Sequence, residues 1–472
     1  MNAIRRKIIN SSPIWLLAGL IPFIIAACFL PLWGLIILLA VVFLGVLSFA
    51  FGVSINRLDI FSPYVIFPPL WLACVLVGSI IISIEQVPWN DAVWLCSIGA
   101  LVFYFLGLFA AEWYLAGFSP PDPRRRKIVT GQWNGQKLFI VMLAWMIAAI
   151  GCMTYEFRNY VGGIPLFNRS WELTRLYNPG GYLSRLIHIF GYSFMLQAIV
   201  LQVYLYSRKK LFSWQNIPFW VMLVTALGCA ALWGSRHTLF IPIAAGIVAF
   251  HYLHKRLKLT HLFLLGIAAA LFIGAVGFVR KMTYFEQRDV EYEEVLQNIG
   301  YSARYPVLDQ IHNTVAMNFE TFRQLTETFP ERHDFQYGKL TFFAFYSLIP
   351  GKQMTLGELQ NRIWNTGFYG NLTSTYMGVP YVDFGFAGVA LYTFALAFIF
   401  RLIYFRMKNF PAVFNIMLYS FFCYHVILMP YDNTITKLNF IFDLLILWGV
   451  NMIVRKRASG AVAEKTQEKR TS

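Results

Sequence analysis

One apolar run after another, each about 20 residues long, fills this chain from Pro13 to Val454. In lipid such a run can satisfy its backbone polar groups only as a helix. The 472 residues are 58% hydrophobic and 13% charged, with a mean hydropathy of +0.56. A soluble domain of that size has no interior large enough for so much apolar surface. The fold class expected is therefore an all-α polytopic membrane protein. The first run is followed at once by a second and lacks a small-residue cleavage pattern, so it reads as a span and not as a removable leader.

The charges orient the spans. Arg5-Arg6-Lys7, Arg124-Arg125-Arg126-Lys127, Arg208-Lys209-Lys210, Lys255-Arg256 and Arg455-Lys456-Arg457 all fall on one face if basic clusters stay inside. That condition gives about twelve transmembrane helices with both termini cytoplasmic. They lie near Ile14–Cys28, Leu35–Val53, Val65–Ile84, Val93–Gly117, Leu138–Tyr155, Leu186–Tyr206, Ile217–Trp233, Leu239–Leu253, Leu262–Val279, Phe386–Tyr404, Phe414–Met429 and Phe440–Val454. Residues 1–280 then hold nine spans, 281–384 form an extracytoplasmic loop domain with short helices, 385–458 hold three spans, and 459–472 form a polar, disordered tail. The same topology absorbs the net charge of +16, so no nucleic-acid partner is expected. The six cysteines, Cys28, Cys74, Cys96, Cys152, Cys229 and Cys423, fall inside spans without metal-like spacing and read as small core residues.

The segment from Lys281 to Phe384 is too rich in aromatics for disorder and too long for an idle connection. Glu291–Gly300 and Val307–Phe329 have helical spacing. Leu340–Ile349 is an apolar run too short to span, suited to an interfacial or re-entrant helix bent at Pro350-Gly351. Asp309 and His312 share a helix face at i, i+3, where a carboxylate can orient an imidazole as a general base; a solvated surface helix gives the same pattern. Arg304 and Arg323 lie in the same region. Arg280 and Lys281 close the ninth span on the outer side, as headgroup anchors or as pyrophosphate ligands. Arg236 follows Gly234-Ser235 in a very tight turn between two spans. Its planar fork matches phosphate oxygens, and the alternative is an arginine that snorkels to water and headgroups.

The loop ends on Asn371-Leu372-Thr373-Ser374-Thr375-Tyr376, dense in amides and hydroxyls that can hold sugar hydroxyls, with Trp364, Tyr369 and Tyr381 to cover sugar faces. An ordinary polar turn is the alternative. Asp443 is an intramembrane acid, either a proton site or a partner for a nearby polar group; His425 reads as a satisfied core histidine. The sequence contains no phosphate-cradling Gly-rich Lys-Ser/Thr loop, no His-Glu-x-x-His, no acidic metal motif and no Gly-x-Ser-x-Gly, which argues against a nucleotide motor.

Four features together resemble the Wzy-type O-antigen and capsule polymerases of bacteria, which join oligosaccharide repeat units. They are Gly162-Gly163-Ile164-Pro165 in an outer segment, Gly234-Ser235-Arg236 opening a span, the long late outer loop, and Tyr381-x-Asp383-Phe384-Gly385-x-x-Gly388 entering the next span. The resemblance implies a GT-C-like membrane glycosyltransferase of the bacterial inner membrane. Its donor would be a growing glycan on undecaprenyl pyrophosphate, and its acceptor a fresh lipid-linked repeat unit. The resemblance implies no metal and no other cofactor, with arginines in place of a cation. It brings in membrane lipid, a chain-length regulator and a flippase as partners. On that footing Arg236, Arg280, Lys281, Arg304 and Arg323 are expected on the donor pyrophosphate. Arg175, Asn371, Thr373, Ser374, Thr375, Tyr376, Tyr381 and Asp383 are expected on glycan, and His312 with Asp309 on the acceptor proton. A ligase of similar architecture is the alternative within the enzymes. A flippase is the alternative outside them, although the mostly uncharged spans and the lack of a half-repeat count against it.

Overall fold

The computed structural model describes residues 59–118, 133–161, 163–164, 187, 203–205, 210, 212–232, 236–286, 291–302, 304–349, 354–364 and 372–455. The first two expected spans, most of the sixth, Arg175, Asn371 and the tail lie outside them. Regular structure among the described residues is helical, with two isolated bridges, Trp133 to Arg455 and Thr375 to Asp432. The α-helices are α1 Pro63–Ser79, α2 Asp91–Leu115, α3 Gly135–Glu156, α4 Ile217–Leu232, α5 Arg236–Leu253, α6 Leu259–Glu286, α7 Tyr292–Asn298, α8 Pro306–Thr328, α9 Phe343–Tyr346, α10 Leu356–Trp364, α11 Gly378–Asn409, α12 Val413–Leu428 and α13 Leu438–Val454.

Four of these are long and apolar enough to cross a membrane: Asp91–Leu115, Gly135–Asn159, Trp214–Leu232 and Gly378–Asn409. Shorter apolar helices occupy Pro63–Ser79, Ile243–Leu253, Val413–Leu428 and Leu438–Val454. Each coincides with an expected span. Several boundaries differ from the expectation, among them the start of the tenth, where the helix begins at Gly378 and bends at Phe384 and Gly385. The third span stops at Ser79, because the Gln86 side chain accepts from the Ile82 and Ser83 amides and donates to the Ile80 carbonyl, folding 80–86 into a turn. The ninth runs on past Arg280 and Lys281 to Glu286.

The chain divides into two compact units, Met1–Pro121 with Leu257–Phe405 and Phe421–Phe440, and Asp122–Arg256 with Arg406–Ser420 and Ile441–Ser472. In the first, α8 packs on α1 and α6. Its Phe319 ring stacks on Trp89 at 4.8 Å and meets Trp71 at 5.6 Å, and Trp71 donates to the Ser97 carbonyl of α2 at 3.0 Å. Tyr376 closes the cluster edge-on to Trp71 at 5.2 Å. In the second unit, Ala149, Met153 and Phe157 pack against Ala226, Cys229 and Ala230, small residues that let α3 and α4 approach closely. Asn134 caps α3 through Gln136 and Lys137, and its own amide donates to Val454, tying the start of α3 to the end of α13.

Candidate functional site

The segment between α6 and α11 is built on α8. Its buried face, Ala316, Phe319, Phe322 and Leu325, follows the helical repeat, so the polar residues beside it are held rigidly. His312 is buried in the first turns. Its Nε2 faces the Ile80 carbonyl at 3.0 Å, and its Nδ1 faces the Tyr301 hydroxyl at 2.9 Å. The first contact requires a proton on Nε2, so Nδ1 accepts from Tyr301. Both ring nitrogens are therefore engaged, and the ring brackets the turn after α1, the turn after α7, and α8. Asp309 is half-buried one turn earlier, close enough to raise the imidazole pKa; burial outweighs it and holds that pKa below the ordinary value.

Arg323 is also buried. Its Nε lies 3.0 and 2.9 Å from the two Glu320 oxygens, and its Nη1 bonds Glu327. Hydrogen bonding to Glu320 raises its pKa further. One cation against two carboxylates leaves no net positive charge there for a pyrophosphate. Arg304 by contrast is exposed, its guanidinium 5.5 Å from the Tyr305 ring centre. Arg236 opens α5, and Arg280 and Lys281 lie in α6; their side chains, with Arg175 and Asn371, lie outside the described residues.

The polar run before α11 turns inward. Thr373 donates to Asn318 of α8 at 2.5 Å. The Tyr376 hydroxyl meets Thr393 at 2.9 Å, its amide donates to Met429, and its carbonyl accepts from Asn433 at 3.2 Å. Thr375 sits at φ 49° and its hydroxyl accepts from Met377. These groups satisfy neighbouring backbone and side chains, which is what buried polar atoms require. The exception is Ser374, whose buried Oγ has no partner among the described residues.

The Tyr381-to-Gly388 motif proves to be a bend. Phe384 and Gly385 leave helical geometry, Gly385 at φ 63°, ψ −149°, a region open only to glycine. A Cβ on Gly388 would lie 2.1 Å from the Pro380 carbonyl oxygen. The buried Asp383 carboxylate accepts from the Leu340 amide at 3.2 Å and the Thr341 amide at 2.5 Å. Tyr381 reaches the Phe329 carbonyl at 3.5 Å, at the edge of hydrogen bonding.

Beside this bend His333, Gln336, Leu359, Arg362 and Ile363 line a cavity of about 340 Å³. The α10 helix that supplies three of them also carries Gln360, fully buried with both amide atoms unpartnered among the described residues. Sequence reasoning passed over this helix; the available signal was a glutamine on its buried face. It also passed over an ion pair within the spans. Arg401 Nε lies 2.6 Å from Glu112 Oε1, which also accepts from the Tyr64 hydroxyl at 2.7 Å. Tyr404 donates to Asp59 at 2.9 Å nearby. One acid and one base, each inside an apolar run, were the visible signal. His425 Nδ1 lies 2.6 Å from the Thr434 hydroxyl. Asp443 is half-buried in α13, with no partner among the described residues.

Apolar helices of membrane length define a multi-pass membrane protein. A family model described as "Putative O-antigen polymerase" matches residues 59–431, and the chain belongs to that family. No curated protein and no solved structure matches it.

Proposed function

We propose that this chain lengthens O-antigen, capsule or exopolysaccharide by glycosyl transfer between undecaprenyl-pyrophosphate-linked oligosaccharides at the outer face of the bacterial inner membrane. The observation that carries this reading is the family match across 59–431. The cavity lined by α10 and by the segment after α8 supports it. Arg362 offers positive charge there, His333 and Gln336 ring and amide hydrogen-bonding groups, and Leu359 and Ile363 an apolar wall, a mixture that suits a charged glycolipid head. Fixed cations of this kind stabilise the charge that grows on a leaving pyrophosphate without a metal ion. Arg280, Lys281 and Arg304 are the further donor candidates in this reading, and Arg236, in the other compact unit, is a separate candidate for a pyrophosphate. Among the described residues Gln360 has an unused donor and an unused acceptor, the complement of a sugar hydroxyl. In the base role His312 takes the acceptor proton only after Tyr301 gives up its bond to Nδ1.

Deletion of the gene followed by gel analysis of surface glycan tests the activity. A lost ladder with one repeat unit retained is the expected result. Loss of all surface glycan would assign a flippase, and undiminished lipid-linked polymer a ligase. In complemented cells Arg362→Ala should slow chain growth by roughly 10²-fold. Gln360→Met keeps the shape and removes the polar atoms, so it should shorten the ladder at unchanged protein level. An intact ladder would take Gln360 out of the site.

A further inference from the structure

From Leu340 to Ile349 the exposed side chains are apolar or aromatic. Leu340, Ala344 and Ser347 are buried against the protein, while Phe342, Phe345, Tyr346, Leu348 and Ile349 are exposed, Phe345 to 62% and Ile349 to 56%. A water-facing turn would put polar residues on its outer side. Several bonds fix this segment at the top of α11. Gln336 and Tyr337 donate backbone amides to the Val382 and Asp383 carbonyls, and the Asp383 carboxylate holds the Leu340 and Thr341 amides.

The exposed face is continuous with that of α11. Phe384, Ala387, Leu391, Ala395 and Ile399 are exposed at helical spacing, a wholly apolar stripe down a membrane-spanning helix. Gly338, at φ 90°, joins the two. A Cβ placed there would lie 3.2 Å from the Phe342 ring and 3.3 Å from the Phe384 ring, so the two rings meet over the same spot. Beyond the bend, residues 386–409 rise about 36 Å, enough for a hydrocarbon core of about 30 Å. Asp383 therefore stands where α11 leaves the lipid, and the aromatic segment is pinned at that level.

We propose that residues 337–349 form an interfacial wedge, seated among the headgroups and upper acyl chains of the bilayer and anchored on Asp383. Exposed Tyr337 and Lys339 sit at its start, a phenol and an ammonium suited to the headgroup layer. The occupant of this face is bilayer lipid, because the face extends the apolar stripe of a helix long and apolar enough to cross a membrane. The wedge deepens the polymerase reading, on which its purpose rests: it sets the adjoining cavity at the depth of a lipid-borne phosphate.

The test uses the full chain in vesicles of phosphatidylethanolamine and phosphatidylglycerol. Phe345→Cys in a cysteine-free background carries a nitroxide, with exposed Glu358→Cys on α10 as the aqueous reference. The expected result is a severalfold higher ratio of oxygen to nickel-chelate collisions at 345 than at 358. Asp383→Asn in the same background should lower the ratio at 345. Equal ratios at 345 and 358 would overturn the wedge. So would a lipid-like signal at 345 that arises only when a polyprenyl pyrophosphate is added, which would assign the face to a substrate tail. Reduction of the label by ascorbate in spheroplasts tests the outer-face placement separately. A lipid-like label shielded from external ascorbate but reduced from the cytoplasmic side would sink that placement and leave the wedge standing.

Discussion

His312 shows how one side chain can be read two ways. From spacing alone it looks like a base oriented by Asp309. In the fold its two nitrogens hold Ile80 and Tyr301, so its first effect is on stability. Burial lowers its pKa. The unfolded chain then binds more protons than the folded one below about pH 6.5, and stability falls as pH drops from there through the lowered folded value. Thermal melting of the detergent-solubilised protein should show that loss, and His312→Gln should flatten it while costing about 1–3 kcal/mol at neutral pH. An unchanged pH slope in the variant would mean that the imidazole does not titrate differently on folding. Restoration of full chain growth by the variant would separately remove the base role.

At the scale of elements, packing depends on missing side chains as much as on present ones. Where α2 meets α11, a Cβ on Gly107 would lie 2.3 Å from the Phe394 carbonyl oxygen and 3.0 Å from Ala397. Backbone cannot move aside as a side-chain tip can, so Gly107→Ala must push the helices apart, at a cost of about 1–3 kcal/mol. Gly151 in α3 meets nothing within 4 Å and is the control. Gly151→Ala should be neutral or stabilising by up to about 1 kcal/mol. Melting temperatures of the two variants decide it, and equal effects would mean that α2 and α11 do not touch at Gly107. The helices themselves were legible, because apolar runs of membrane length admit no other backbone arrangement. The stop at Ser79 was not, since a Gln86 side chain ends that helix against the trend of its apolar sequence.

At the scale of the molecule, the Glu112–Arg401 pair links residues 289 positions apart, with Tyr64 on the same carboxylate oxygen. Removing one partner strands the other charge in an apolar setting, so Glu112→Ala should destabilise by about 3–5 kcal/mol. Replacing both together, Glu112→Leu with Arg401→Met, should recover most of the loss. If the single variant melts like the parent, the pair is not shielded from water. These two charges were visible in the sequence as intruders in apolar runs, but nothing local says that they meet.

The order of apolar and polar residues determined that the chain is a multi-pass membrane protein and where its apolar helices fall. Those properties follow from the cost of exposing apolar surface or burying bare backbone, which is summed locally. Tertiary structure alone decided what the polar residues do. It turned Thr373 and Tyr376 inward as staples, neutralised Arg323, made Asp383 a clamp, and left Gln360 without a partner among the described residues. A hydrogen bond or an ion pair belongs to two groups at once, and the second lies wherever the fold brings it.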